Sequence, residues 1–494
     1  MTTSDSVDAH GARLLRHFGP DPRDWVRPTD TDHDVLVVGG GQAGLGIGFA
    51  LRRAGIGRAT VIDAAGPQDK GVWRGIARMR TLRTPRNWPE PEFGLPELSF
   101  QAWYEHTHGA EAYDALDRIP RLTWADYVDW VERTLQVPVR HHTRLVRVSP
   151  AADGDGHVVV RLAVTAPDGT VTEVEETARK VVLANGVEGT GGPALPPGFA
   201  DLPPHVAAHT GDRIDIATLR GKRVAVAGAG ASALDAVNAA LEAGATEVHL
   251  FTRRDELIIQ GRAGFPAGSV GARDNYHRLP DAERWRSKVE LARKGRSCTI
   301  ASVELAASYA GFRVHLAAPW HQTELVGTPA GDRVRVHAAD GVHEFDVVIA
   351  GTGYQYDPAT RADLADVAPV VATWGDRYDA PADLRDDALA RHPYLGAGYE
   401  LLERVPGDAP WLRRVHVFSA GAYLSFGYPI GDVQSLAPEI PRLIDAIGRD
   451  LFFEDRDLAA AAPAAPAAPA TPAESFRGVY EHAVWAPASV PQPV

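Results

Sequence analysis

One supersecondary pattern occurs twice in this chain, and it restricts the fold more than any other feature. Residues 34–63 read DVLVVGGGQAGLGIGFALRRAGIGRATVID: an apolar strand, a glycine-rich turn, a helix and a second strand. Residues 221–254, GKRVAVAGAGASALDAVNAALEAGATEVHLFTRR, repeat that order. Continuous apolar runs such as Val35–Val38 suit strands covered on both faces, as in a parallel sheet with helices on either side. In the first unit Gly39 permits the tight turn, Gly41 lets a pyrophosphate approach the backbone, and Gly44 allows close helix–strand packing. The helix that follows begins at Gln42 and presents free N–H groups and the positive end of its dipole. In the second unit Gly228 and Gly230 take the same places, Ser232 lies in the first helical turn, and Ala233 stands where the third glycine would be.

The strand tips differ in charge. Asp63 ends TVID and is placed to accept hydrogen bonds from a ribose hydroxyl. Arg253 and Arg254 end VHLFTRR, where an acid would repel a phosphate on the ribose 2′ oxygen and guanidinium groups would bind it. The alternative for the arginines is that two solvated side chains end a surface strand. An acid on one unit and arginines on the other predict two cofactors, FAD at the first and NADPH at the second, with hydride passing from nicotinamide to flavin.

Net charge is −13 and the isoelectric point is near 5.8, which argues against general binding to nucleic acid or to an anionic membrane. Cys298 is the only cysteine, so neither an intramolecular disulfide nor CxxC redox chemistry is available. No metal site is assigned. No leader-like segment opens MTTSDSVDAHG, and the most apolar helical stretch, near 224–245, is interrupted by Asp235, Asn238 and Glu242. The expected location is the cytoplasm.

These readings predict an α/β protein with two Rossmann-like dinucleotide-binding domains, the NADPH domain inserted in the FAD domain. The expected boundaries are an N-terminal arm over 1–33, the first stretch of the FAD domain over 34–205, the NADPH domain over 206–325 and the second stretch of the FAD domain over 326–457. An Ala/Pro-rich linker and tail follow over 458–494. WADYVDWVERTL (124–135) has helical spacing. HVVVRLAVTAPDGTVTEVEE reads as a hairpin, and RKVVLANGV as a separate buried strand. RVRVHAADGVHEFDVVIAGTGY gives a second hairpin and a strand that echoes VVLANG.

The paired fingerprints, the prolyl linker between them, and the strand ends VVLANG and VVIAGTGY resemble the class B flavin monooxygenases. KGVW (70–73) is similar to that superfamily's segment after the second FAD strand, which brings Trp73 into the cofactor site. Phe199 and His205 match the superfamily's motif ahead of the NADPH unit, while Asp201 and His209 depart from it. ARMRTLRTPRNWPEPEFGLPELSFQAWYEHTHG (77–109) is similar to the subgroup of FAD-dependent urate hydroxylase and the nitrosuccinate-forming aspartate N-monooxygenase.

The resemblance implies an NADPH- and O2-dependent monooxygenase working through a C4a-hydroperoxyflavin. The preferred reaction is N-oxygenation of a small amine or amino acid. Hydroxylation of a urate-like ring is the alternative, and an NADPH:acceptor reductase that inserts no oxygen is a third reading. A small-molecule substrate and O2 are the expected partners; the oligomeric state is left open, a homodimer being one option. Gln42, Trp73, Arg80, Arg83 and Asn87 are expected along the flavin, joined by Tyr423, Ser425 and Asp432 from SAGAYLSFGYPIGD. Gln42, Arg83 and Ser425 are the catalytic candidates. Arg83 has two readings, a grip on a substrate carboxylate or a structural arginine on FAD phosphate or a loop carbonyl. His205 likewise either contacts NADPH or is a hydrogen-bonded linker residue.

Overall fold

The structure is a computed structural model that describes residues 6–87, 94–152, 154–260, 270–295, 297–329 and 331–461. Met1–Arg449 form one compact unit, and a second begins at Asp450. After helix α1 (Val7–Phe18), the first nucleotide unit runs β1 (His33–Val38), α2 (Gln42–Arg53) and β2 (Ala59–Ile62). It continues through α3 (Arg121–Leu135), β3 (Val139–Arg140), β4 (Thr143–Ala151), β5 (Gly154–Thr165) and β6 (Val171–Leu183). The strand order is β3-β2-β1-β6-β5-β4. Leu36, Val37, Val182 and Leu183 are fully buried, as the apolar runs require when helices cover both faces.

The expected separate strand RKVVLANGV is the second half of β6. Its outer half pairs antiparallel with β5, Val171 opposite Thr165, and its inner half pairs parallel with β1, Leu183 opposite Val38. Alternating polar residues over 171–177 suit a half-exposed hairpin, and the apolar run after Arg179 suits the buried sheet, so one strand serves both.

The second unit comprises β7 (Ala207–His209), β8 (Arg223–Ala227), α4 (Ala231–Glu242), β9 (Glu247–Phe251), α5 (Asp281–Lys294) and β10 (Phe312–His315). An antiparallel sheet of β11 (Trp320–Thr328), β12 (Gly331–Ala338) and β13 (Gly341–Phe345) follows, then β14 (Val347–Ala350). The parallel order is β10-β9-β8-β14-β7. The expected boundary at 325/326 is therefore misplaced. β14 pairs with β8 from Val347–Val224 to Ala350–Ala227, so the second unit extends through residue 350. The chain then returns to the first sheet, where β15 (Val415–Val417) pairs parallel with the inner half of β6.

Helix α5 lies within the second unit's stretch of chain but packs on the returning segment. Trp285 and Val289 bury against Trp374, Leu384, Leu389 and Leu424. A last helix, α6, spans Val433–Ala461, so the first residues of the expected linker at 458 are still helical. The rest of the Ala/Pro tail and its aromatic end lie outside the described residues, as does the proline-rich stretch of 77–109 at 88–93.

Candidate dinucleotide sites and the seam between them

The two units share a hydrogen-bonding scheme at their turns. Gly39 N–H donates to the Ile62 carbonyl at 2.8 Å, and Gly228 N–H to the Phe251 carbonyl at 2.8 Å. Ala184 N–H reaches the Val38 carbonyl at 2.9 Å, and Gly351 N–H the Ala227 carbonyl at 2.7 Å. Both Gly39 and Gly228 hold positive φ, 116° and 105°, and an added Cβ would collide with the carbonyl of Ala184 or of Gly351. The strand ends VVLANG and VVIAGTGY are thus the walls against which the two turns close. The third position also has a packing partner. A Cβ on Gly351 would stand 2.6 Å from that of Ala233, so the bare strand end accompanies the extra methyl on the helix.

What lies in front of the turns fits a nucleotide. Gly41 and Gly230 are the N-caps of α2 and α4, and neither helix has a side-chain cap. By contrast Ser6, Ser99 and Thr299 cap other helices with their hydroxyls. Free helix N-terminal N–H groups bind anions where a glycine turn lets a ligand approach; α3 and α5 also lack side-chain caps but begin after Pro120 and Pro280. At Gly41 the nearest atom to an added Cβ is the Gly71 Cα at 3.5 Å, so protein packing does not demand glycine there, whereas backbone approach by a pyrophosphate does. Asp63 accepts from Gly40 N–H at 2.6 Å and Ala65 N–H at 2.7 Å, which orients its carboxylate beside the turn.

Gln42 and Trp73 meet at this turn. The Gln42 carbonyl oxygen accepts from the Trp73 indole at 3.1 Å and the Trp124 indole at 3.3 Å, and its amide donates to the Gly431 carbonyl at 3.2 Å. Gln42 thereby ties the first glycine turn to the segment that carries Asp432. The Asp432 side chain is solvent-accessible, and desolvation by the protein around it pushes its carboxyl up to about 6.

The KGVW segment is held by residues that sequence reasoning missed. Lys70 pairs with Asp129 at 3.2 Å and with Glu132, while Arg74 pairs with Asp126 at 2.6 Å and Asp129 at 2.7 Å. Asp126, Asp129 and Glu132 recur every three residues on α3, a visible one-face stripe opposite two cations four apart.

The arginine-rich stretch 78–83 closes a seam on the second unit. Arg78 donates to the Thr210 carbonyl at 2.7 Å and the Asp212 carbonyl at 2.5 Å. Burial lowers its guanidinium from the ordinary range. Arg80, expected at the flavin, pairs instead with Glu242 at 2.5 Å, at the far end of α4 from its glycine turn, with its side chain 64% exposed. Arg83, the expected carboxylate grip, donates to Asp235 on α4. Asp69 adds a fourth tie, to Arg213 at 2.8 Å. A cleft of about 490 Å³ along this seam is lined by Arg74, Arg78, Arg121, Arg220 and Glu242. It opens at the C-terminal end of α4 and so lies away from the second unit's glycine turn.

Ser425, His205 and Arg254 also stand elsewhere than expected. Ser425 is buried in a short helix, Tyr423–Phe426, where its hydroxyl accepts from the Trp374 indole and the Leu395 N–H, both at 3.3 Å. It braces the contact with α5, whose Arg284 donates to the Ser425 carbonyl at 3.2 Å. His205 pairs with Asp332 at 2.8 Å on the surface. It precedes β7, at the amino edge of a parallel sheet whose ligand edge is the carboxyl one. His209, at that carboxyl edge, is the one joined to the GTGY turn, through the Gly353 carbonyl at 3.0 Å.

The two strand-tip arginines separate. Arg254 donates to the Arg293 carbonyl at 2.8 Å, and its guanidinium lies over Gly295, so it caps the C-terminus of α5. Arg253 is exposed, with no hydrogen bond or ion pair among the described residues. Ser232 is exposed in the first turn of α4.

Residues 112–304 match the family model of L-lysine 6-monooxygenase/L-ornithine 5-monooxygenase. The FAD-dependent urate hydroxylase of Xanthomonas campestris is 38% identical over 457 residues, 92% of this chain and 93% of that protein. Among solved structures, the ornithine N-hydroxylase of Kutzneria sp. 744, solved with reduced FAD, NADP+ and L-ornithine, superposes with a TM-score of 0.65 at 18% identity. That match covers 86% of this chain and 100% of the other. The L-lysine 6-monooxygenase of Pseudomonas syringae superposes with a TM-score of 0.60 at 20% identity, over 84% and 99% of the two chains. No helix among the described residues is long and apolar enough to cross a membrane. The chain belongs to the FAD-dependent monooxygenase family that includes the Xanthomonas urate hydroxylase.

Proposed function

We propose that this monooxygenase takes electrons from NADPH, uses O2, and places one oxygen on the nitrogen of a small amine or amino acid in the cytoplasm. The observation that carries the reading is the pair of equivalent turns, each ending in a helix N-terminus without a side-chain cap, one followed by Asp63 and the other by Arg253. Gly39, Gly41 and Gly44 hold the FAD pyrophosphate, and Asp63 its ribose. Gly228, Gly230, Ser232 and Ala233 form the NADPH turn, and Arg253 binds the 2′-phosphate. FAD, when bound and reduced, supplies the oxygen-activating chemistry. Gln42 and Trp73 wall the first turn, Gln42 ties it to the segment that carries Asp432, and the arginine seam keeps the units in register. Arg80, Ser425 and His205 have no role in this reading. Arg83 would have to leave Asp235 to grip a carboxylate, so its role here is positional.

Nitrogen oxygenation draws support from the lysine/ornithine monooxygenase match, which spans α4 and α5. Hydroxylation of a urate-like ring is favoured by the urate hydroxylase relative. The test is a screen of ornithine, lysine, aspartate and urate, following NADPH consumption together with product mass. N-oxygenation predicts an amine that gains one oxygen at a rate rising with pH, because only the unprotonated amine is nucleophilic. Turnover of urate but no amine would favour the ring reaction. NADPH consumption with no oxygenated product would favour an acceptor reductase.

A further inference from the structure

A cluster of imidazoles lies at the carboxyl edge of the second unit, outside the machinery described above. His315 ends β10, Asp340 sits in the turn between β12 and β13, and His343 is on β13. The His315 Nδ1 is 2.5 Å from one Asp340 oxygen, and the His343 Nε2 is 3.1 Å from the other. One donor atom from each residue lies within 4.8 Å of the others. The side chains are 16%, 34% and 24% exposed, so the cluster is reachable and mostly walled.

A fourth imidazole stands behind them. The His249 Nδ1 is 2.9 Å from the His315 Nε2, and the His249 Nε2 faces the Glu247 carboxylate at 3.6 Å. The His249 contact holds the far side of the His315 ring and leaves the His315 Nδ1 turned toward Asp340. A metal-ligating histidine whose other nitrogen is fixed by a hydrogen bond is the usual arrangement at such sites.

We infer that His315, Asp340 and His343 form a site for a borderline divalent transition metal, Zn2+ being the probe, with water completing a tetrahedral set and His249 orienting His315. Two nitrogens and one carboxylate suit Zn2+, Co2+ or Ni2+ and not Mg2+ or Ca2+. The site's position indicates what it does for the protein. The His315 ring stacks on Phe251 with centroids 4.1 Å apart and planes at 10°, and Thr252 N–H donates to the His315 carbonyl at 3.0 Å. A bound metal therefore braces the strand tip that leads to Arg253.

The test uses untagged, flavin-loaded full-length protein, treated with a chelator and dialysed. Zn2+ titration by calorimetry, with metal content measured after gel filtration, is expected to give one Zn2+ per chain at micromolar affinity or tighter. Excess Mg2+ is expected not to compete. His343→Gln and Asp340→Asn should each weaken binding at least tenfold while flavin content and circular dichroism stay as in the wild type. Asp340 is in an exposed turn, so its variant serves should His343→Gln fold poorly. Absence of stoichiometric Zn2+, or equal binding by the Asp340→Asn protein, overturns the inference and leaves a hydrogen-bonded histidine cluster.

Discussion

The Arg83 guanidinium donates to the carboxylate of Asp235, a residue on the first helix of the second nucleotide unit, across the seam between the two units. Burial raises the Asp235 carboxyl above the ordinary carboxylate range even with Arg83 beside it. Breaking such a pair from one side leaves a charge in a poor solvent, at a cost of about 3–5 kcal/mol for a fully buried pair and less here because Arg83 is partly exposed. Arg83→Ala is therefore expected to lower the melting temperature by several degrees, and Arg83→Ala with Asp235→Ala to recover some of the loss. The deficit of the single variant should shrink as pH falls toward the raised Asp235 pKa, because a protonated carboxyl needs no cation. Thermal melts of the three proteins across pH 5–8 check this. A substrate-gripping arginine would instead change KM with stability intact.

The arginines at 253 and 254 should behave differently. Arg253 is free to meet a phosphate, and a charge-assisted hydrogen bond is worth roughly 1.5–3 kcal/mol, so Arg253→Ala should raise KM for NADPH about tenfold or more. KM for NADH should hardly move. Arg254→Ala removes the cap on the Arg293 carbonyl and should cost about 1 kcal/mol of stability with a smaller effect on nucleotide preference. Steady-state kinetics with both nucleotides, alongside thermal melts, separate the two.

The duplicated fold was legible because both units are built from local signals: apolar runs, glycines of fixed spacing, and helices that begin just after them. The units' partners across the sheet were less so. That β14 completes the second sheet and not the first depends on pairing Val347 with Val224, a contact 123 residues away that no local pattern encodes. The arginine stretch shows the same limit from the site's side. Arg80 and Arg83 stand out in sequence as cofactor or substrate contacts, yet each, like Arg78, is already taken by a carbonyl or carboxylate of the second unit. Ser425 lies in the glycine-containing stretch SAGAYLSFGYPIGD, but its side chain turns inward to Trp374. The stripe Asp126, Asp129 and Glu132 is visible as one helix face, but nothing local points from it to Lys70 and Arg74, on a loop about fifty residues earlier.

Two glycines of the first turn should fail for different reasons. Gly44 carries no Cβ because one would overlap the Gly39 carbonyl, so Gly44→Ala is expected to yield little folded protein. Gly41 has φ −73°, which alanine adopts readily, and room for a methyl against Gly71. Gly41→Ala should therefore fold, with wild-type circular dichroism, and hold FAD at least tenfold more weakly, because the methyl occupies the path of the pyrophosphate. Flavin content after dialysis is the readout. A fully loaded Gly41→Ala protein would place the cofactor elsewhere.

Asp432 supplies a pH signature of the segment that Gln42 holds at the first glycine turn. Its carboxyl is pushed up to about 6 by the protein around it, against backbone N–H groups of Gln434 and Ser435 that favour the charged form. Between the ordinary carboxylate pKa near 4 and this value, the folded flavin-free protein keeps a proton that the unfolded chain has released. Stability of the flavin-free protein should then fall as pH rises through that window and level off above it, the reverse of a salt-bridged carboxylate. Asp432→Asn removes the titrating group, so the difference in melting temperature between wild type and variant should drift across pH 4–6.5 and stay constant above. The same variant keeps a polar side chain at the α6 N-terminus, so its fold should survive. If the two melting curves run parallel at every pH, the protein around Asp432 does not raise its carboxyl.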